Sequence, residues 1–451
     1  MPAGWLSIAV VLVTLILAPA ASAQEQDCHP LTSLDVVVRP HVPDDECHPR
    51  LSSVLRLHVA AHAWQLFIAL NWPAARGARG MPDGEDPQKI ADRTAPRVWE
   101  TWKSLQETFI PGGKEPAGWD VPETHALCRN TGDLEPSPSK VLADLNQSGV
   151  EGEAVGPLIA QNRTYVRYEI RMNRVGFEEI TRKQFYLRDK LPAENGQEKL
   201  RLPNGTINVK AAWREVRAGE NTDRYYQTEA LAFDPSTGQC DKRSFVLIGM
   251  HIVQKTPRRP QWIWATFEHV DNIAVGPDAP PGTTPSLNNP LLQQVRGDPP
   301  APVDRENPPM PNPSPVQVVV SNDGLPRDFI EGVTNTKWQG SSQLNGTVWR
   351  FYKLIRTQWP VAPQVDELGG PEPLTHAANS TMETYRQRMT CMACHHNTQR
   401  TDFTWFINLR AHPLSQDVRS NARNFYNTVI NWLGPLIEPL SGPLTVPRSN
   451  K

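Results

Sequence analysis

Five consecutive residues near the far end of the chain, Cys391-Met392-Ala393-Cys394-His395, constrain it more than any other feature. C-x-x-C-H is the c-type haem attachment pattern. Two thiols separated by two residues reach the two vinyl groups on one edge of a porphyrin. The adjacent imidazole then falls under the iron as the proximal ligand. Only 56 of the 451 residues follow His395. The pocket must therefore borrow walls from the chain that precedes the motif.

Two other chemistries share the cysteine spacing. A zinc site or a thioredoxin-like redox pair also uses C-x-x-C, and His396 adds a further zinc-type ligand. Zinc would call for a second spaced pair of ligands, and the sequence has no second C-x-x-C. A thioredoxin-like pair belongs after a strand in a βαβ unit, whereas a polar helical pattern precedes Cys391. Haem c, one per chain and covalently attached, is the cofactor expected.

The N-terminus agrees. Residues 5–21 are almost wholly apolar, and Ala21-Ser22-Ala23 follows as a small-residue cleavage site. This reads as a secretory signal peptide over residues 1–23, removed before Gln24. The run is short for a membrane span. It lacks the usual positive flank, so an uncleaved anchor stands as the alternative. No Cys sits at the cleavage point to carry a lipid. Covalent haem attachment takes place outside the cytoplasmic membrane, so the expected location is the periplasm, with no stable membrane insertion after cleavage.

Oxidising surroundings give the remaining cysteines a role. Beyond the motif stand Cys28, Cys47, Cys128 and Cys240. Four cysteines allow three connectivities. Cys28–Cys47 closing a small loop and Cys128–Cys240 tying distant segments is the preferred pairing, with unpaired buried thiols as the alternative. The net charge is only −2, so no global field points to nucleic acid or an anionic membrane.

Thirteen of the 44 prolines fall within residues 277–315. Such a stretch forms neither a helix nor a central strand. It divides the chain into a body over 24–276, a proline-rich connection over 277–315 and a C-terminal segment over 316–451. In the body, residues 51–70 carry Leu55, Val59, Leu66 and Ala69 at helical spacing and stop at Asn71-Trp72-Pro73. A second helix is expected over 98–109. The pattern then turns to β. Val166, Tyr168, Ile170 and Met172 alternate with Arg167, Glu169 and Arg171, giving one buried and one solvated face. Ile207, Val209, Ala211 and Trp213 repeat the pattern after the Asn204-Gly205 turn. Residues 227–233 form a weaker strand. Residues 245–253 are almost continuously apolar, as in a central strand, and pair as a hairpin with 262–270. Four or five antiparallel strands should form the central body.

Past the prolines, 316–320 read as a strand and 349–356 as a helix or extended run. Ser380-Thr381-Met382-Glu383 has capping-box form and would start a helix running to Thr390. Val418, Ala422, Phe425, Val429 and Trp432 mark an amphipathic helix from near Ser415. The fold class expected is α+β: an antiparallel sheet body with flanking helices and a C-terminal helical haem-c segment.

The iron needs a sixth ligand or a reason to lack one. No Met follows Met392, which removes the arrangement with a downstream Met. Met382 and Met389 precede the motif and read as packing residues. Among histidines, His251 in the apolar strand and His269 in its hairpin partner lead, since a histidine in a buried sheet needs a bond or a ligand. Glu268 and Asp271 flank His269 and could orient it. His412 ranks next. His58 and His62 stand i,i+4 on one helix, with helix-surface histidines as the blander reading. Satisfied core or surface histidines are the ordinary alternative throughout. Lys255, Arg258 and Arg259 in the hairpin turn would meet a haem propionate or an acidic partner, or else simply face solvent. Phe403, Trp405 and Phe406 are natural packing partners for a porphyrin. No G-x-S-x-G, Walker or dinucleotide fingerprint stands out.

Several stretches carry a family resemblance: Phe67-Ile68-Ala69-Leu70-Asn71-Trp72-Pro73, Trp262-Ile263-Trp264-Ala265-Thr266-Phe267-Glu268-His269-Val270-Asp271-Asn272, Thr357-Gln358-Trp359-Pro360, and Thr381-Met382-Glu383-Thr384-Tyr385 leading to the cysteine motif. Together they resemble a group of bacterial exported cytochrome c family proteins with one haem motif near the C-terminus. The resemblance implies periplasmic haem c on Cys391, Cys394 and His395, and it supplies no substrate. The chain departs from small class I cytochromes, whose motif lies near the start of a compact helical domain.

Two functional classes follow. One is electron transfer between periplasmic partners by a six-coordinate haem. The other is a monohaem enzyme or gas-binding protein with an open or displaceable sixth position. A minimal carrier needs about 100 residues or fewer, so this body does more than enclose a haem. A single motif argues against a dihaem peroxidase.

Overall fold

The computed structural model describes residues 36–45, 55–122, 127–130, 140–145, 157–194, 196–274, 279–281, 283–289, 291–292, 315–318, 330–359, 377–387 and 390–412. The expected signal peptide, Cys28, Cys47, Met389 and the helix expected from Ser415 lie outside them.

Helix α1 (Leu55–Leu70) forms where the apolar spacing predicts. Every residue from 59 to 70 is buried. A helix without a solvated face belongs inside a domain. It stops at Asn71, whose Nδ2 donates back to the Phe67 carbonyl at 2.9 Å, just before Pro73 bars another turn. The helix expected over 98–109 is broken. A 3-10 turn at Val98–Thr101, strand β1 (Lys103–Ser104) and one helical turn, α2 (Leu105–Thr108), replace it. The cause is local. The Ser104 hydroxyl accepts from Glu107 N and the Glu107 carboxylate accepts from Ser104 N, a capping box that starts a new helix mid-pattern.

The sheet continues with β2 (Val141–Leu142), β3 (Val166–Met172), β4 (Ile207–Glu215), β5 (Gln227–Phe233), β6 (Cys240–Gln254), β7 (Ile263–His269) and β8 (Tyr352–Gln358). Among the described residues these form one eight-stranded sheet. The pairings are antiparallel except β2 with β5, which is parallel. The five strands expected in the body are β3 to β7, with β6 and β7 paired as a hairpin. β6 is the branch point. One edge carries β4, while the other carries β5 along its first half and β7 along its second. Residues 315–318 do not join the ladder. They are tied by Val316 N to Ile159 O and by Val318 N to Leu287 O.

Besides the short helix at Trp405–Arg410, two helices were not legible from the spacing. They are α3 (Arg174–Arg182), capped by Asn173, and α4 (Ile330–Gln339), which packs on α1 and β8. After the proline-rich connection the chain returns as β8, paired with β7. The two sides of that connection therefore share one sheet. Cys128 and Cys240 are joined, the pairing preferred from the sequence. The architecture is mixed helix and sheet, with a curled sheet and few helices.

Phe267, Met250, Ile252, Ala265, Val209 and Leu354 share the sheet face that packs on α1. Phe67 stacks on Phe267 with ring centroids 4.4 Å apart, and Trp64 stacks on Trp338 at 5.6 Å. On β3 this face carries Arg167, Glu169 and Arg171, which the alternation assigned to solvent. All three are buried. Alternation separates two faces without saying which is wet, and here the charges are matched. Lys140 Nζ reaches Glu100 at 2.6 Å and Glu169 at 3.1 Å, Arg171 Nε reaches Glu169 at 2.7 Å, and the Trp213 indole donates to Glu169 at 2.7 Å.

Burial alone would raise the Glu169 carboxyl, yet Lys140 and Arg171 hold it down, to about 2. A carboxyl depressed in the fold stabilises above its unfolded value of 4.5 and loses that contribution as pH falls toward 2. Denaturant titrations from pH 6 to pH 2 should show about 3 kcal/mol leaving through this group. Glu169→Gln should be less stable at neutral pH and lack that part of the slope; an unchanged slope would contradict the network's role.

Candidate functional site

The other face of the sheet mixes polar and apolar side chains and is partly covered. Ile170, Lys210, His251, Thr266 and Arg356 form one row across β3, β4, β6, β7 and β8. Val253, Trp264 and Gln358 form the neighbouring row. Residues 379–381 and Cys391 lie over them. Tyr168 Oη donates to the Thr381 carbonyl at 2.8 Å. Asn379 Nδ2 donates to Thr266 Oγ1 at 2.9 Å and to Phe267 O at 2.7 Å. Ser380 N donates to Glu268 Oε2 at 2.8 Å, and Cys391 N to Gln358 Oε1 at 2.7 Å. The approach is closest at Gly249, where an added Cβ would lie 2.0 Å from Thr381 Oγ1.

These bonds explain why the helix expected from Ser380 to Thr390 is absent. Residues 377–387 form consecutive turns. The Ser380 hydroxyl accepts from Asn272 Nδ2 at 3.1 Å, and Glu383 caps Asn379 N at 2.9 Å. Side chains that hydrogen-bond to neighbouring backbone and to the sheet compete with the helical ladder. Met382 packs in this turn region, as expected. Helix α5 (Cys391–His395) begins at the motif itself and passes into a 3-10 turn at His396–Thr398.

His395 is held in one tautomer. Its Nδ1 lies 2.8 Å from the Phe403 carbonyl oxygen. A carbonyl only accepts, so Nδ1 carries the proton and Nε2 keeps its lone pair. Burial lowers the imidazole pKa to about 4 despite that hydrogen bond. The ring is therefore neutral at ordinary pH, the form that ligates a metal. It lies against Trp264, with ring centroids 4.3 Å apart. Neither Cys391 nor Cys394 is in a disulfide. Cys394 is solvent-exposed, yet surrounding protein raises its thiol pKa by burial, opposed by the Trp405 indole.

This donor set fits a covalent haem: two cysteines outside any disulfide, one neutral imidazole with its Nε2 lone pair, and aromatic neighbours in Trp264 and Trp405. Among the described residues, no three Cys, His, Asp or Glu side chains converge as a zinc site requires.

The structure separates the other histidines. His251 is brought to the motif. Its Nε2 is buried without a hydrogen bond and lies 3.4 Å from Glu383 Oε1, and it shares a sheet face with Trp264, which lies against His395. His269 is not. It lies on the opposite face of β7, stacked on Tyr225 at 3.7 Å. Its Nε2–H donates to Arg224 O at 3.2 Å, and its Nδ1 accepts from Asp271 N at 3.1 Å. Both nitrogens are used, which removes it as a distal ligand. The flanking residues do not orient it toward a metal. Glu268 caps Ser380, and Asp271 pairs with Arg224 at 3.3 Å.

His412 is tied through its backbone to Tyr186 and Arg188. His62 is buried rather than on the helix surface, and it donates to Gln254 Oε1 at 2.8 Å. The hairpin turn is not simply solvated either. Lys255 is buried and pairs with Asp402 at 2.5 Å, while Arg258 meets Asp45 at 4.0 Å.

Sequence reasoning missed Lys210, Trp264, Gln358 and Asp402 as neighbours of the motif. It read Glu383 only as a helix cap. The strand register was the available signal, since Lys210, His251 and Trp264 occupy one face once β4, β6 and β7 are paired. No protein-family model, curated protein or solved structure matches the chain.

The close approach at Gly249 gives a direct test. Gly249→Ala should destabilise by roughly 1–3 kcal/mol through overpacking, and the loss should centre on residues 377–412 in hydrogen exchange. Wild-type stability and protection would show that the segment does not sit on β6 as described.

Proposed function

We propose that this chain is an exported monohaem c-type cytochrome that takes part in periplasmic electron transfer. The observation that carries the reading is His395. It stands directly after two cysteines at C-x-x-C spacing, and the Phe403 carbonyl fixes its Nδ1–H so that Nε2 would be the ligating nitrogen. Cys391 and Cys394 would form the thioethers, and His395 would be the proximal ligand. When bound, the haem supplies a one-electron ferric–ferrous couple. The signal-like N-terminus and the resemblance to exported cytochrome c proteins support the compartment. The redox partner would be another periplasmic protein. In this reading the segment with α5 and α6 (Trp405–Arg410) is the helical haem-c part of an α+β protein.

In this reading His251 would be the second iron ligand. Its contact with Glu383 supports a second reading. A carboxylate that pairs with the imidazole competes with ligation, so the sixth position is displaceable and the protein is a monohaem enzyme or gas-binding protein.

Visible spectra of the purified exported protein separate these readings. Electron transfer predicts low-spin ferric and ferrous spectra and no rapid CO binding. His251→Ala should convert them to high-spin, CO-binding spectra, while His269→Ala should leave them unchanged. Rapid CO binding by the wild type would favour the second reading. Loss of all haem on denaturation, or haem retained by a Cys391→Ala/Cys394→Ala variant as by the wild type, would sink both.

A further inference from the structure

We propose that the buried Lys255–Asp402 pair is a positioning device: it holds the Phe403 carbonyl against His395 and so sets how strongly that imidazole donates electrons. The inference rests on the haem reading above and concerns residues not adjacent to the motif.

Asp402 and Phe403 are consecutive residues with positive φ, 53° and 64°. Left-handed backbone is unfavourable for residues bearing a Cβ and persists only where the surroundings over-determine it. Here the surroundings act on Asp402. One carboxylate oxygen, Oδ2, accepts from Lys255 Nζ at 2.5 Å and from Leu202 N at 2.8 Å. Lys255 is itself fixed at the end of β6. Its backbone exchanges hydrogen bonds with Thr206 and Gly205, and its ammonium lies 5.6 Å from the centroid of the Trp262 ring. Asp402 is fully buried and Lys255 is 4% exposed.

Backbone bonds from Asp402 N to Gln399 O and from Phe403 N to Thr398 O complete the turn. Its outcome is a carbonyl aimed at His395 Nδ1. The β6–β7 hairpin thus reaches the ligand through a chain of contacts: Lys255, Asp402, the Phe403 carbonyl, then His395. A ligand histidine that donates its other N–H to a carbonyl is the more basic ligand. Greater basicity favours ferric over ferrous iron. Loosening the turn should therefore raise the midpoint potential.

The test compares wild type with Asp402→Asn, Lys255→Met and the double variant. Asn tolerates positive φ, so Asp402→Asn removes the charge without adding backbone strain. The double variant leaves no buried charge unpaired and serves if a single variant does not accumulate. Each is expected to raise the ferrous-to-ferric ratio at fixed ambient potential about tenfold, equivalent to about 59 mV for a one-electron couple. The double variant should shift no further than either single, because both act through one turn. The His395 Nδ1–H resonance should move in the same three proteins. Haem-loaded variants with the wild-type potential and an unmoved resonance would overturn the proposal, as would a double variant shifted by the sum of the singles. A wild type without haem would overturn both this proposal and the proposed function.

Discussion

Strand β6 is covered on both faces, and the rest of the structure follows from that. Its Met250 and Ile252 side chains meet α1, whereas Gly249 and His251 meet residues 377–412. A strand buried twice must be apolar enough for one cover and must leave room for the other. The run from Phe245 to Ile252 supplies the first condition, and the missing side chain at Gly249 supplies the second. The two covers differ in kind. On α1 the contact is aromatic stacking. Beside β6 on the opposite face, directional hydrogen bonds from Asn379 and Ser380 to β7 and from Cys391 to β8 fix the register of the motif on the sheet.

Buried charge serves both faces. Lys140, Glu100, Glu169 and Arg171 are matched beneath β3, and Lys255 with Asp402 anchors the turn that follows α5. Removing one partner from such a pair costs more than the pair contributes, because the survivor is left buried and uncompensated. These pairs therefore act mainly as specifications of geometry. Around the motif, Lys255 and Asp402 border the turn whose Phe403 carbonyl holds the neutral His395 imidazole, which lies against Trp264.

What was legible in the sequence depended on range. Local periodicity identified α1 and β3 to β7, because a buried strand or helix repeats its apolar positions with fixed spacing. It failed at 98–109, where the Ser104–Glu107 box restarts the helix, and at Ser380, where long-range bonds to Asn272 and Glu268 outweigh a local cap. The polar residues of β3 were assigned to solvent because a one-dimensional pattern carries no information about Lys140, more than twenty residues away. The motif was legible in full as chemistry, but its surroundings were not. Of the two strand histidines favoured from sequence, one reaches the motif and the other is consumed by Arg224 and Asp271. Strand parity alone separates them, since His251 and His269 lie on opposite faces of paired strands.

The central claim is that Cys391 and Cys394 carry a haem whose iron is held by His395. Peptide mapping tests it at the atoms concerned. The exported protein, unfolded and digested with trypsin without reduction, should yield the 389–400 peptide carrying one covalent haem on its two cysteines. The same peptide recovered without haem, its cysteines free or joined to each other, would contradict the account.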